Sequence, residues 1–448
     1  MRHVLTKPPL WPLLVVGLGT LVVPLDSAVN VDFPDIVRRF DLAIPDIQWI
    51  VISYVLTQTS LMLVFGRIGD MVGHRRVFLA GTAVSVMAFA ACALAPSYGA
   101  LLAARVLQGV SAGLVLSCGP ALATGFFPEA MRARVLGLYT MMFGLGAMIG
   151  PLAASLLIER FGWSAAFSFR IPIALLAFCF AWLLPKQATP TGRQSFDTLG
   201  GALLVVGTCS LLMALNRLRD VADVVIFAAL AIVCIALFVR TEHRSKNPIL
   251  DLRAFRDPGF AAINVANWAV NLAGFSLLLL GPFYLSRIAG LSALPLGVMV
   301  AASSLGIVIA APVAGRLAER LRPRTVAGFG AAASAVGLLG VALAGPTPIL
   351  PLMFACMVLQ GIGLGTFQVA YFDLLTATLP RADRGVAGAL GMVTRSLGVA
   401  TGATLLMLLF EAFGTTGFEP AFRATMLIAA AIPTALVIGG LILRPTAR

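Results

Sequence analysis

The chain has 448 residues, 59% of them hydrophobic and 11% charged, with a mean hydropathy of +0.97. That is too apolar for a soluble globular protein. The net charge of +13 invites a nucleic-acid reading, but the basic residues sit between long apolar runs, so no nucleic-acid partner is expected.

Fourteen runs are long enough to cross a bilayer. They cover approximately 10–31, 47–65, 77–95, 99–127, 135–158, 165–184, 199–215, 222–239, 259–285, 291–314, 325–344, 349–372, 386–413 and 422–443. With the N-terminus inside, the inner segments hold 22 Lys/Arg and the outer loops seven, while Arg105, Arg170 and Arg395 lie within runs. That bias predicts a multi-pass cell-membrane protein with both termini cytoplasmic. Met1–Leu10 is followed by no small-residue cleavage site, so the first run reads as a membrane helix, not a removed leader. All six cysteines stand singly in apolar runs and read as reduced core residues. The three histidines lie at polar ends. No metal or cofactor is expected, nor any enzyme activity.

The first run carries L-D-S-A-V-N-V-D-F-P over Leu25–Pro34. Asp26 lies about five residues, roughly 7–8 Å, outward of the middle of the crossing. An ionisable group at that depth marks a pathway, and Asn30, four residues on, would share its helix face. The second and third runs are joined by G-R-I-G-D-M-V-G-H-R-R-V, Gly66–Val77, read as a tight turn in which Gly73 supplies positive φ. Asp70 can pair there with Arg67 or Arg75. The fourth run opens with R-V-L-Q-G, which puts Arg105 about 12 Å deep, level with Asp26. Asp26 is then its natural partner, and Gln108 is a candidate substrate contact. The fifth run holds G-A-M-I-G-P, a small-residue packing seam (Gly146, Gly150) ahead of a bend at Pro151. Arg170, near the start of the sixth run, reads as a shallow structural residue that snorkels outward.

Lys186–Thr198 is a polar Pro/Gly/Gln/Thr linker and a natural boundary. Beyond it the chain repeats. Gly66, Arg67, Asp70, Arg75 and Val77 recur 249 residues later at Gly315, Arg316, Glu319, Arg324 and Val326. Val106, Leu107, Gln108, Gly109, Pro128 and Arg132 recur 252 residues later at Val358, Leu359, Gln360, Gly361, Pro380 and Arg384. Runs 9–14 therefore echo runs 1–6, with two runs inserted between. The segments are 1–185, 186–258 and 259–448. Neither Asp26 nor Arg105 has a twin. The ninth run instead offers Asn264, Asn267 and Asn271 on one face, and Arg395 lies near mid-membrane in the thirteenth. Asn267, Asn271, Gln360 and Arg395 join Asn30 and Gln108 as candidate substrate contacts. Gly361-x-Gly363-x-Gly365 has no preceding strand, so it is not a dinucleotide loop.

On these motifs the chain resembles the major facilitator superfamily, in its fourteen-helix drug:proton antiporter branch. The Gly66–Val77 stretch is similar to that family's G-x-L-x-D-x-x-G-R-[KR]-x loop, with Ile68 and His74 departing. Leu25–Pro34 is similar to L-D-x-T-x-V-N-V-A-L-P, with Ala28 and Asp32 departing. Arg105, Gln108 and Gly109 match R-x-x-Q-G. Gly146–Pro151 opens G-x-x-x-G-P-x-x-G-G, whose last glycines are Ala154 and Ser155 here. Arg170 stands where the branch usually has Asn. The resemblance implies an all-α membrane fold of two six-helix halves plus two inserted helices. It implies monomeric, proton-coupled export of small apolar or cationic compounds by alternating access. Asp26 and Arg105 would couple protons. Gly66, Arg67, Asp70, Gly73, Arg75, Gly146, Gly150 and Pro151 would form the conformational switch, with Asp70 docking near Val386. Export or exchange of an organic anion or metabolite is the alternative, favoured by the intramembrane arginines, and a transport-dead membrane sensor is a remote one.

Overall fold

The computed structural model describes residues 10–442 except 31–32, 43, 187–195, 218–219, 246, 292, 346 and 415–416. Fourteen helices are long and apolar enough to cross a membrane, and no strand occurs among the described residues. They are built on α1 (Trp11–Val22, whose span runs on to Val29), α2 (Gln48–Val72), α3 (His74–Ala93), α4 (Tyr98–Gly125), α5 (Arg132–Phe161), α6 (Arg170–Leu183, whose span starts at Ala165), α7 (Thr198–Asn216) and α8 (Val221–Arg244). There follow α9 (Pro258–Arg287), α10 (Ala293–Ala318), α11 (Pro323–Ala342), α12 (Leu350–Thr378), α13 (Arg384–Phe413) and α14 (Phe418–Ile442).

Helices α1–α6 and α9–α14 form two six-helix halves that meet along α2–α13 and α5–α10. The inserted pair α7–α8 packs on itself and on α2 and α13. Val225, Ile226 and Ile232 of α8 are more than half exposed, which suits a lipid-facing surface. Polar side chains close several helix starts: Ser97 caps α4, Asp197 caps α7, Asp220 caps α8, and Asp257 with Pro258 starts α9. Each satisfies backbone N–H groups that the first helical turn leaves unpaired.

Two sequence expectations are corrected. The first run is not one α-helix over 10–31: α1 ends at Val22, and Pro24–Asn30 is a 3₁₀ segment. Pro24 has no N–H to donate and crowds the carbonyl four residues back. The chain tightens instead, with Val23 N–H donating to the Thr20 carbonyl and Asp26 N–H to that of Val23. The turn after α2 is also shorter than read. The helix continues through Gly66, Arg67 and Asp70 to Val72, and Gly73 alone turns the chain, at φ 99°.

The internal repeat is visible in space. A Cβ on Gly66 would lie 2.8 Å from the Gly385 carbonyl oxygen, and one on Gly315 would lie 2.8 Å from that of Ala133. Gly66 and Gly315 are repeat mates, as are Ala133 and Gly385, so one backbone-to-backbone contact between the halves is made twice. Both sit at the basic end of the bundle, where α1 begins and α2 ends.

Candidate functional site

Four N–H donations converge on Asp26, at the 3₁₀ break. Arg105 on α4 donates from Nη1 to Oδ1 at 2.6 Å and from Nη2 to Oδ2 at 2.9 Å. Gln108, one turn on, donates from Nε2 to Oδ1 at 2.7 Å, and Arg170 on α6 donates from Nη1 at 2.8 Å. The guanidiniums are themselves held. Arg105 Nε donates to the Ile50 carbonyl at 2.8 Å and its guanidinium carbon lies over the Tyr54 ring, while Arg170 Nε donates to the Ala166 carbonyl at 2.8 Å among Phe89, Phe167 and Phe169. The Arg105 and Arg170 side chains are 1% and 0% exposed and that of Asp26 is 14% exposed, so Asp26 is the accessible member. Such a fork-on-carboxylate arrangement fixes orientation as well as charge.

This geometry corrects three readings. Arg170 does not snorkel; it is fully buried and ion-paired, because the short helix Ala165–Ser168 folds inward ahead of α6. Gln108 is taken up inside the cluster, where its Oε1 also accepts from Arg105 at 2.8 Å. Asn30 lies on 3₁₀ backbone, where residues three apart, not four, align; its side chain falls outside the described residues.

Behind the cluster, α5 presses on the break. A Cβ on Gly146 would lie 2.3 Å from the Leu21 carbonyl oxygen, and one on Gly150 would lie 2.6 Å from Ser27 Oγ and 3.0 Å from the Leu25 carbonyl oxygen. The Gly146–Gly150–Pro151 seam thus backs the segment that carries Asp26.

At the basic end, Asp70 crosses between the halves. Its Oδ1 accepts the Gly385 N–H at 2.7 Å and its Oδ2 the Val386 N–H at 3.0 Å, the docking position that the resemblance implies. A carboxylate there faces the positive end of α13 and fills two unpaired donors. Arg67 reaches Asp383 at 3.1 Å, Arg132 reaches Asp373 at 2.8 Å, and Arg384 reaches Glu129 at 2.6 Å. The halves are therefore latched together at this end. Arg75 does not hold Asp70: it donates to the Trp182 carbonyl at 2.6 Å, pinning α3 to α6, and His74 lies 3.4 Å from Asp70 instead.

In the second half, Asn267 donates to the Gly391 carbonyl at 3.1 Å and to Thr394 Oγ1 at 2.9 Å, and Asn271 donates to Asn267. The Tyr371 hydroxyl donates to Asn264 at 2.9 Å and lies 3.1 Å from Thr394. This network ties α9, α12 and α13 together as interhelical glue. Gln360 accepts from Ser303 at 2.5 Å, while its Nε2 is unpartnered, 3.0 Å from where a Cβ on Gly274 would stand. Its repeat mate Gln108 donates to Asp26; Gln360 meets a glycine in the corresponding place. Arg395 lies over Phe143 of the other half, 4.2 Å from the ring centroid. Gln368, not singled out by the sequence, is 4% exposed with both amide atoms unpartnered. A glutamine inside an apolar run was its only signal.

A family model described as the Major Facilitator Superfamily matches residues 16–294 and 261–448. The chain belongs to that superfamily. It is 27% identical over 400 residues to the riboflavin transporter RibZ of Clostridioides difficile, covering 89% of this chain and 87% of that protein. It is 29% identical over 428 residues to the multidrug resistance protein Stp of Mycobacterium tuberculosis (strain H37Rv), covering 93% and 78%. The multidrug efflux pump LfrA of Mycolicibacterium smegmatis is 29% identical over 408 residues, with 90% and 81% covered. The facilitator chain is thus similar both to multidrug efflux proteins and to a riboflavin transporter. The fold is also that of the human organic anion transporter MFSD10, with a TM-score of 0.71 at 16% identity, covering 96% of this chain and all of that one. It is a multi-pass membrane transporter of the superfamily, a class that carries small molecules.

Proposed function

We propose that this facilitator exports a small organic compound in exchange for protons, by alternating the segments 1–185 and 259–448 about the Asp26 region, with 186–258 as an appended hairpin. The observation that carries the reading is the Asp26 cluster: one accessible carboxylate, held by Arg105, Arg170 and Gln108 on a 3₁₀ break that α5 abuts. A proton on Asp26 would remove the charge that binds both guanidiniums. The segment would then be free to shift against Gly146 and Gly150, which is how protonation would bias the halves. The Asp70 latch at α13 supports a conformation closed at the basic end. Under the charge bias that end is cytoplasmic, so the state is outward-facing in a cell inner membrane, and a monomer suffices.

Of the substrate classes the sequence leaves open, the interior charge favours a compound without net positive charge. Arg105, Arg170 and Arg395 all lie within the crossings, and among the described residues Asp26 is the one carboxylate paired with any of them. The multidrug relatives favour an apolar body. Purified protein in proteoliposomes, loaded with a candidate compound and given a pH gradient, should show proton movement opposite to compound flux. Flux indifferent to the gradient would overturn the coupling.

A further inference from the structure

Arg395 is a guanidinium within the membrane region for which no carboxylate partner occurs among the described residues. Such a charge is costly unless something completes it. Its central carbon lies 4.2 Å from the centroid of the Phe143 ring, and a guanidinium has N–H groups to spare for gripping a carboxylate in a fork. Two independent contacts put Gln368 at a level close to that of Arg395 and Phe143. Thr394, the residue before Arg395, lies 3.1 Å from the Tyr371 hydroxyl, and Gln368 is one turn from Tyr371 on α12. A Cβ on Gly144 would lie 2.9 Å from Ile307 and one on Gly365 3.0 Å from it. Phe143 beside the first and Gln368 a turn from the second therefore stand at neighbouring levels where the halves meet. A buried amide with neither donor nor acceptor satisfied is rare and costly.

We propose that Arg395, Gln368 and Phe143 form an anion-anchoring substrate site, whose ligand is a small planar, largely apolar compound bearing a carboxylate or similarly compact acid. The acid takes the N–H edge of Arg395 and completes its charge. Gln368 pairs with a polar atom on the ligand's body, and Phe143 fixes the guanidinium plane. The charge balance elsewhere in the crossings points the same way, because the Asp26 cluster carries two guanidiniums to one carboxylate. A cation would find net positive charge both at Arg395 and at the Asp26 cluster. The class of compound transported rests on the export reading, but the site is testable as binding alone.

The experiment is equilibrium binding of three matched probes to the full-length protein in detergent, without any gradient: radiolabelled 1-naphthoate, 1-naphthamide and 1-naphthylmethylammonium. Saturable binding of the naphthoate, tighter than that of either other probe, is expected. Arg395→Gln should weaken naphthoate about tenfold or more, the loss of a charged hydrogen-bonding partner, and leave the amide unchanged. Arg395→Lys, which keeps the charge without the fork, should recover part of it, and Gln368→Leu should weaken both naphthoate and amide. Monodisperse elution of each variant shows that it folds. Equal or preferred binding of the ammonium probe, binding of none, or unaltered naphthoate binding by Arg395→Gln overturns the site. Naphthoate binding without gradient-driven flux would instead overturn the export reading and leave the site standing.

Discussion

Arg170 Nη1 lies 2.8 Å from Asp26 Oδ1, so one carboxylate oxygen is shared among Arg105, Gln108 and Arg170. Asp26 is thereby tied to both α4 and α6. The loss of one member should be felt through the other two.

Arg170→Ala is accordingly expected to damage both stability and transport. Removing one partner from a buried charged cluster costs on the order of 3–5 kcal/mol. The purified variant should melt several degrees lower and carry substrate at least tenfold more slowly. Arg170→Lys should be intermediate, because it cannot reach the Ala166 carbonyl and Asp26 together. Wild-type melting and flux in Arg170→Ala would return the residue to a passive role.

Depth explains why the role of Arg105 is legible in the sequence and that of Arg170 is not. Arg105 sits eight residues inside Ser97, and its level with Asp26 is legible by counting. Arg170 follows Gly162–Phe169, whose inward fold is a tertiary event that a hydropathy run cannot express. The fourteen crossings and the repeat were legible because charge spacing and recurrence survive in one dimension. The break at Pro24 was legible in principle, since proline forbids the bond that a continuous helix needs. The shift of Arg75 to Trp182 was not, because spacing along a turn says nothing about a carbonyl on α6. The asparagines of α9 also depended on partners, Tyr371 and Thr394, that only packing brings near.

The latch at the basic end makes a second prediction. Asp70→Asn retains the side chain's size but loses the charge facing the start of α13, about 2 kcal/mol in a partly buried geometry. The balance should move toward opening at that end. A cysteine at Val386, in a background without the six native cysteines, should then react faster with a membrane-impermeant maleimide applied from the basic side. Unchanged labelling would reduce Asp70 to an ordinary surface anchor.

The seam behind Asp26 gives a third. Gly146→Ala brings a methyl to 2.3 Å from the Leu21 carbonyl oxygen, an overpacking that costs about 1–3 kcal/mol. Gly99→Ala, with nothing within 4 Å of the added atom, is the control and should change stability by less than about 0.5 kcal/mol. Melting curves for the pair read the difference directly. Equal melting would mean that α5 does not bear on the break.

Orientation is a fourth. A reporter fused after Pro185 should report cytoplasm, and one at Asp220 the opposite side, as the charge bias requires. Reversal of the two signals would invert the assignment of the latched end.

The central claim is that Asp26 couples protons to transport. The direct measurement is pH-gradient-driven flux of one known substrate by Asp26→Asn in proteoliposomes, beside gradient-free binding of the same substrate. The account predicts retained binding with loss of gradient-driven flux, and the same pattern for Arg105→Ala. Full proton-coupled flux by Asp26→Asn would contradict it.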